Sequence, residues 1–313
     1  MATIPQGFSF EIPCASVNGP LSLRDTLLSG QTGQPEWLAV DGSFTDVRVL
    51  DGTPVKYALQ QVGDRDNFRI RVHVTAINPE EAATNLKDHL SRMLGLKDDL
   101  NCFYQKFANE DPALAHTFIN LRGLRLMRGP DLFEALICSM LSQNNSVRLL
   151  NRSARLMMQH FGRIVSFPDG SKESLFPQAE TLARLNSREL RLKTSTGYRA
   201  KPIVNVSRKI ANGELSLGKL AEDSYDHAVE TLLELPGVGP KVADCFLLYG
   251  GIHTEAAPVD LWIHRIVLKL YFRGKKVSRL KTARFLRERF LNWAGYAQLY
   301  LFDYARRGKV APT

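Results

Sequence analysis

Up to about Phe107 the apolar residues fall in short runs closed by glycine, and past about Asp111 they recur every three or four positions. In "FRIRVHV", Phe68, Ile70, Val72 and Val74 alternate with Arg69, Arg71 and His73, the period of a strand with one buried and one wet face. "WLAVDG", "DVRVLDG" and "VKYALQQVG" are further β-branched or aromatic runs that stop at glycine. The first part therefore reads as an antiparallel sheet, with a helix over about residues 79–94 expected to cover it. In the second part, "PDLFEALICSMLSQ" opens with Asp131 and Glu134 at capping-box spacing. Leu132, Phe133, Leu136, Ile137, Met140 and Leu141 then form a wide apolar stripe. "SVRLLNRSARLMMQHFG", "SYDHAVETLLEL", "KVADCFLLYGG" and "VDLWIHRIVLKLYF" keep the helical period, with short loops between them. The pattern predicts an α+β chain: an antiparallel sheet domain over 1–107, then an all-helical domain over 108–313.

With 313 residues, 44% of them hydrophobic, the chain has ample material for a buried core. The N-terminus has no basic run followed by an apolar core, and no apolar stretch has the length of a membrane span. Cys14, Cys102, Cys138 and Cys245 are widely spaced, which argues against a zinc site, a cysteine-ligated cluster or a disulfide framework and fits a reducing compartment. Residues 1–107 carry 10 Lys/Arg against 13 Asp/Glu, whereas the remainder carries 31 against 19. The positive charge thus belongs to the helical part, and a polyanion such as nucleic acid is its natural partner, although a solvated basic surface would look the same.

Within that part, "SYDHAVETLLELPGVGPKVADCFLLYG" holds a helix stopped at Pro236, a Gly-Val-Gly turn and a second helix. Pro240 stands in the first turn of that second helix, where a missing N–H costs nothing. This is a helix-hairpin-helix over about residues 224–250. Gly237 and Gly239 let the backbone approach another chain, and the amides of Val238 and Gly239 at a helix start are candidate phosphate donors. Glycine turns between helices also occur where no DNA is bound.

"LPGVGPKVADC", followed further on by "PVD", resembles the hairpin, the Gly/Pro-rich loop and the aspartate of the base-excision DNA glycosylase superfamily. Within it the chain is most similar to the 8-oxoguanine DNA glycosylases, from "EIPCASVNGPLSLRDTLLSGQ" through "LFDYARR". The resemblance implies that Lys241 is a nucleophile and Asp260 its partner. It further implies a bifunctional reaction: Lys241 displaces the damaged base, a Schiff base forms, and β-elimination nicks the strand 3′ to the lesion. The chemistry of the residues is consistent with this. An amine attacking a sugar carbon must be neutral at that moment, so its site must favour the neutral form, and Val242, Ala243, Phe246 and Leu247 supply an apolar wall. An oxocarbenium-like transition state needs a fixed negative charge, which Asp260 can provide. Asp260 also reads as an N-cap for the helix "LWIHRIVLKL", and the two roles can coexist.

The resemblance also assigns the base pocket. Gln298 would bond the Watson–Crick edge of the flipped base and Phe302 would stack on its face; the spacing i, i+4 puts both on one side of a helix. Cys245 would cover the other face of the ring. The Gly30 carbonyl would accept from N7–H of 8-oxoguanine, a proton that guanine lacks, although Gly30 also reads as a plain hairpin glycine. The residues Thr32, Gly33 and Gln34 depart from the family pattern just beyond it. "SQNNSVR" and "TGYRAK" resemble the elements that fill the gap and hold the orphaned cytosine, with Gln143 as the plug, Asn144 after it, Tyr198 as a stacking wedge, and Arg148 and Arg199 as donors to the cytosine. Trp262 occupies the place of a phosphate-contacting histidine, so its contact would be neutral.

Two other readings stay open: a broad alkylpurine glycosylase of the same fold, which uses water, and a non-catalytic hairpin protein that only binds DNA. Lys241 and Gln298 speak against the first, and Lys241 together with Asp260 against the second. No cofactor is expected and no metal site is certain, although the hairpin carbonyls are candidates for a structural cation. The expected partner is double-stranded DNA containing 8-oxoguanine, bound by a monomer with no membrane association. The expected compartment is a bacterial cytoplasm, or a nucleus in a eukaryote.

Overall fold

The computed structural model describes residues 8–31, 38–40 and 42–308; the departure at Thr32, Gly33 and Gln34 lies outside them. β1 (Phe8–Pro13), the short α1 (Leu23–Leu27), β2 (Leu38–Val40), β3 (Ser43–Leu50), β4 (Thr53–Gly63) and β5 (Phe68–Thr75) lead into α2 (Pro79–Met93). The strands form one antiparallel sheet in the order β1-β5-β4-β3-β2. Register places Ile12 opposite Ile70, Leu59 opposite Val72 and Tyr57 opposite Val74, so their side chains share one buried face. Ala82, Leu86, Leu90 and Met93 of α2 cover that face, as the alternation of β5 and the helical run after Pro79 anticipate.

The helical part comprises α3 (Leu100–Glu110), α4 (Pro112–Leu121), α5 (Leu132–Leu141) and α6 (Val147–Phe161), then α7 (Ala179–Ala183), α8 (Ser187–Thr194) and α9 (Ala200–Ala211). α10 (Tyr225–Leu233), α11 (Pro240–Tyr249), α12 (Leu261–Tyr271), α13 (Arg279–Phe290) and α14 (Ala294–Arg306) complete it. A short two-stranded ribbon, β6 (Ile164–Ser166) and β7 (Lys172–Ser174), interrupts the helices. Among the described residues no helix is long and apolar enough to cross a membrane. The buried apolar residues separate into two clusters, one built on the sheet and α2 and the other running from Leu100 to Tyr304.

α5 differs from its expected stripe, because every residue from Glu134 to Leu141 is buried and the helix sits inside the core. Asp131 caps it by accepting from the Glu134 amide at 2.8 Å, but the Glu134 carboxylate does not return to the cap. It receives Arg48 Nη1 of β3 at 3.0 Å, and Arg48 also bonds Asp46 at 2.8 Å. Burial pushes the Glu134 carboxyl up while Arg48 pulls the other way. The sheet and the helical core are thus joined by a buried ion pair, which is costly to break from one side.

Arg125 makes a second junction. Its fully buried guanidinium donates to the carbonyls of Pro20, Gly95, Asp98 and Asn18. Beside it, Gln31 donates to the Arg125 carbonyl at 2.9 Å and accepts from the Met127 amide at 2.8 Å. These bonds fix the turn that carries Gly30 against the helical part.

Candidate active site

The hairpin lies between α10 and α11. Gly237 has φ +79°, and a Cβ there would stand 2.6 Å from Pro202 Cβ, so both the backbone and the packing demand glycine. At Gly239 a Cβ would meet nothing within 4 Å, so this side of the α11 N-terminus is open to an incoming chain. The sequence reading of Val238 as an amide donor is corrected here: its N–H closes the turn onto the Leu235 carbonyl at 3.1 Å. The amides of Gly239 and Lys241 are left to head the helix. In the hairpin the Leu235 carbonyl accepts from Val238 N and the Gly237 carbonyl from the Gln143 side chain. Among the described residues no group of three or more His, Cys, Asp or Glu is placed to hold a metal.

From the first turn of α11, Lys241 reaches into a cleft of about 570 Å³ and donates to Ser142 Oγ at 2.6 Å. The Ser142 hydroxyl donates in turn to the Ser139 carbonyl. Asp260 lines the same cleft from the start of α12, where its Oδ1 accepts from the Ile263 amide at 2.8 Å. The N-cap and a place in the cleft therefore coexist, and the amine and the carboxylate are each held by a partner of their own. Cys245, one turn beyond Lys241, is buried in the cleft wall, and that burial raises its thiol although the neighbouring ammonium pulls the other way.

Gln298 and Phe302 of α14 face the cleft on one side of their helix. Gln298 is only 5% exposed, and its Oε1 has no hydrogen-bond partner. A buried amide oxygen left unpaired costs on the order of 1–3 kcal/mol, so this atom is poised for a donor brought in from outside. Gly30 reaches the cleft from the sheet part; with φ +74° it sits in the turn after α1, which is not a β-hairpin. Trp262 stands 53% exposed at the rim.

The loop before α6 forms another edge of the cleft. The Gln143 side-chain amide donates to the Gly237 carbonyl, whereas Asn144 is exposed at the tip with φ +41°. Asn144 Nδ2 lies 3.4 Å from the hydroxyl of Tyr198, which is also exposed. Arg199 stacks on the Tyr198 ring at 4.5 Å and donates to the carbonyls of Gln143, Asn144 and Thr196. It braces the loop, and its donors are largely committed there. Arg148 is exposed on the first turn of α6. Tyr198, Arg148 and Arg199 flank the cleft without lining it, as do Gly237 and Val238.

Two residues that carry this arrangement escape a reading of the sequence. Ser142 heads the quoted "SQNNSVR", but nothing local marks its hydroxyl as the partner of a lysine 99 positions away. Asp303 follows Phe302 and is completely buried, a state that only its ion pairs with Arg306 and Arg307 make tolerable.

Two family profiles match the chain. One, described as an 8-oxoguanine DNA glycosylase N-terminal domain, covers residues 12–136. The other, described as an HhH-GPD superfamily base excision DNA repair protein, covers residues 137–291. A protein named probable N-glycosylase/DNA lyase from Methanothermobacter thermautotrophicus is 35% identical over 92% of this chain and 95% of its own. An N-glycosylase/DNA lyase from Arabidopsis thaliana is 30% identical over 92% of this chain and 86% of its own. Among solved structures, the Clostridium acetobutylicum 8-oxoguanine glycosylase/lyase in complex with duplex DNA containing cytosine opposite 8-oxoguanine superposes with a TM-score of 0.79. It is 26% identical, and the match covers 97% of this chain and 99% of that one.

Proposed function

This chain belongs to the 8-oxoguanine DNA glycosylases of the helix-hairpin-helix base-excision repair superfamily and is a bifunctional DNA glycosylase and AP lyase, and from that premise we propose that Lys241 is the nucleophile of both steps. The observation that carries the reading is convergence. Lys241, Asp260, Cys245, Gln298, Phe302 and Gly30 come from separate elements of both parts of the chain and line one cleft.

In this reading the neutral Lys241 amine attacks C1′ of a flipped nucleotide, the C1′–N9 bond breaks, and the base departs with a proton. Asp260 stabilises the positive charge that develops on the sugar. The C1′–O4′ bond then opens, O4′ takes a proton, and the protonated imine so formed acidifies C2′; loss of a C2′ proton expels the 3′ phosphate and nicks the strand. Gln298 holds the Watson–Crick edge of the base, Phe302 and Cys245 sandwich its ring, and the Gly30 carbonyl accepts N7–H. For guanine that carbonyl would face a lone pair, a difference worth roughly 1–3 kcal/mol.

On the opposite strand, Gln143 and the outward-facing Asn144 fill the gap and Tyr198 stacks beside the orphaned cytosine. Arg148 and Arg199 donate to it, which for Arg199 means exchanging a loop carbonyl for the base. The solved complex with cytosine opposite the lesion supports this choice of partner base. Gly239 and Trp262, with the turn at Gly237 and Val238, meet the phosphates.

A sheet domain and a helical domain belong to this reading and are supported by the two apolar cores, but the expected boundary at 107 falls inside α3, whose Leu100, Phe103 and Phe107 pack in the helical core, so the division lies before Leu100. No cofactor is needed, because amine and carboxylate both belong to the chain. The cleft is complete within one chain, which supports a monomer as the working unit. The compartment is that of the DNA, a bacterial cytoplasm or a nucleus. The test is a panel of duplexes carrying one 8-oxoguanine opposite each of the four bases, with excision and nicking measured separately. Preference for cytosine with both products formed is expected; equal rates on all four, or excision without nicking, would overturn it.

A further inference from the structure

The geometry points to a brace, made of Asp303, Arg306 and Arg307, that sets the spacing between the two walls of the base pocket. Gln298, Phe302 and Arg306 follow one another at i, i+4 and i+8, so Arg306 continues the pocket face of α14 toward the turn that carries Gly30. Its Nη2 donates to the Leu28 carbonyl at 3.0 Å, and its Nη1 lies 3.2 Å from the position a Cβ on Gly30 would take. Val147 Cγ2 of α6 stands 3.3 Å from the same position, so α14 and α6 both crowd Gly30.

Arg306 is itself held by the buried Asp303, whose Oδ1 accepts from its Nε and Nη2 at 3.2 and 2.8 Å. Asp303 Oδ2 accepts from Arg307 Nε at 2.6 Å, and Arg307 Nη2 reaches Asp25 of α1 at 2.9 Å. One buried carboxylate thereby fixes two guanidinium groups, of which Arg306 grips the turn between α1 and Gly30 and Arg307 grips α1 itself. The forked donors of arginine are needed, because each group spans Asp303 and a second acceptor. Arg306 and Arg307 are positioning residues: they touch no base, and they fix where the Gly30 carbonyl stands relative to Gln298 and Phe302. This rests on the reading that those three groups hold the lesion base.

The test uses Lys241→Gln, expected to bind without turnover, with and without Arg306→Ala, Arg306→Lys or Asp303→Asn. Affinity is measured for three duplexes: 8-oxoguanine opposite cytosine, guanine opposite cytosine, and a tetrahydrofuran abasic analogue opposite cytosine. The brace predicts that Arg306→Ala and Asp303→Asn each lose roughly tenfold on 8-oxoguanine, while the abasic duplex, which places no base in the pocket, changes less than about twofold. Arg306→Lys is expected to recover only part of the loss. Equal loss on all three duplexes would instead mark a phosphate contact or a folding defect and overturn the brace; so would no loss on any. If Lys241→Gln alone binds 8-oxoguanine no tighter than guanine, the pocket reading itself falls, and the brace with it.

Discussion

The Lys241 ammonium and the Ser142 hydroxyl stand 2.6 Å apart, and the same hydroxyl donates to the Ser139 carbonyl at the end of α5. A long, flexible side chain is thereby tied to a buried helix. Ser142→Ala frees the amine to sample other rotamers, so single-turnover excision of 8-oxoguanine is expected to slow by about tenfold. Affinity for lesion DNA should stay within about twofold. Stopped-time assays at saturating enzyme measure the first, and an unchanged rate would show that the hydroxyl does not position the amine.

The two hairpin glycines should fail in different ways. Gly237→Ala places a Cβ 2.6 Å from Pro202 at φ +79° and is expected to cost about 2 kcal/mol or more of stability, read as a drop in Tm. Gly239→Ala has φ −108° and open space around it, so the Tm should hold, and if Gly239 meets the phosphates as proposed, affinity for any duplex should fall. The same loss of stability in both variants would contradict the open face at Gly239.

Asp244 gives a pH signature. Its carboxyl is buried in α11, accepts from the Tyr225 hydroxyl at 2.5 Å, and is pushed up to about 6 by that burial. A carboxyl raised on folding contributes stability that is full below pH 3.8 and is lost as pH rises through about 6. Asp244→Asn should flatten that slope, so the gap in unfolding free energy between the two proteins changes by roughly 2–3 kcal/mol between pH 4 and pH 7. Parallel curves from denaturant titrations across that range would refute the assignment.

Arg148 is exposed at the start of α6 beside the plug loop, whereas Arg199 already bonds the loop carbonyls. Arg148→Ala should therefore relax the preference for cytosine by roughly tenfold while excision opposite other bases changes little. Arg199→Ala should lower excision opposite all four bases, because the loop holding Gln143 and Asn144 loses its support. The ratio of excision rates across opposing bases separates the two variants. A Arg148→Ala profile that keeps the wild-type ratio would count against its contact with cytosine.

Much of the fold was legible because local patterns encode it. The alternation from Phe68 to Val74 gave a strand with one buried face, and α2 covers residues 79–93 where the helical period asked for it. Asp131 and Asp260 cap their helices as their positions suggested. What stayed hidden depends on residues far apart in sequence. Glu134 has the spacing of a capping box, yet its partner is Arg48, 86 positions earlier, since a buried carboxylate needs a charge more than a backbone amide. Its place in a glycine turn marks Val238 as a phosphate donor, but the turn consumes its amide. The Ser142 hydroxyl carries no local mark, and although Asp303 stands at i, i+3 and i, i+4 spacing from Arg306 and Arg307, nothing local shows that the two arginines reach Leu28 and Asp25. The proposed site residues come from the family resemblance carried by the hairpin string and the other quoted stretches, and the spacings along single helices only agree with it. How those residues meet is a property of the tertiary contacts.

The most direct measurement is covalent trapping. Wild-type protein mixed with a duplex carrying 8-oxoguanine opposite cytosine, in the presence of borohydride, should give a stable protein–DNA adduct whose linked residue is Lys241 by peptide mass. Lys241→Gln should bind the same duplex and give no adduct. An adduct on another residue, or trapping that persists in Lys241→Gln, would contradict the assignment of the nucleophile.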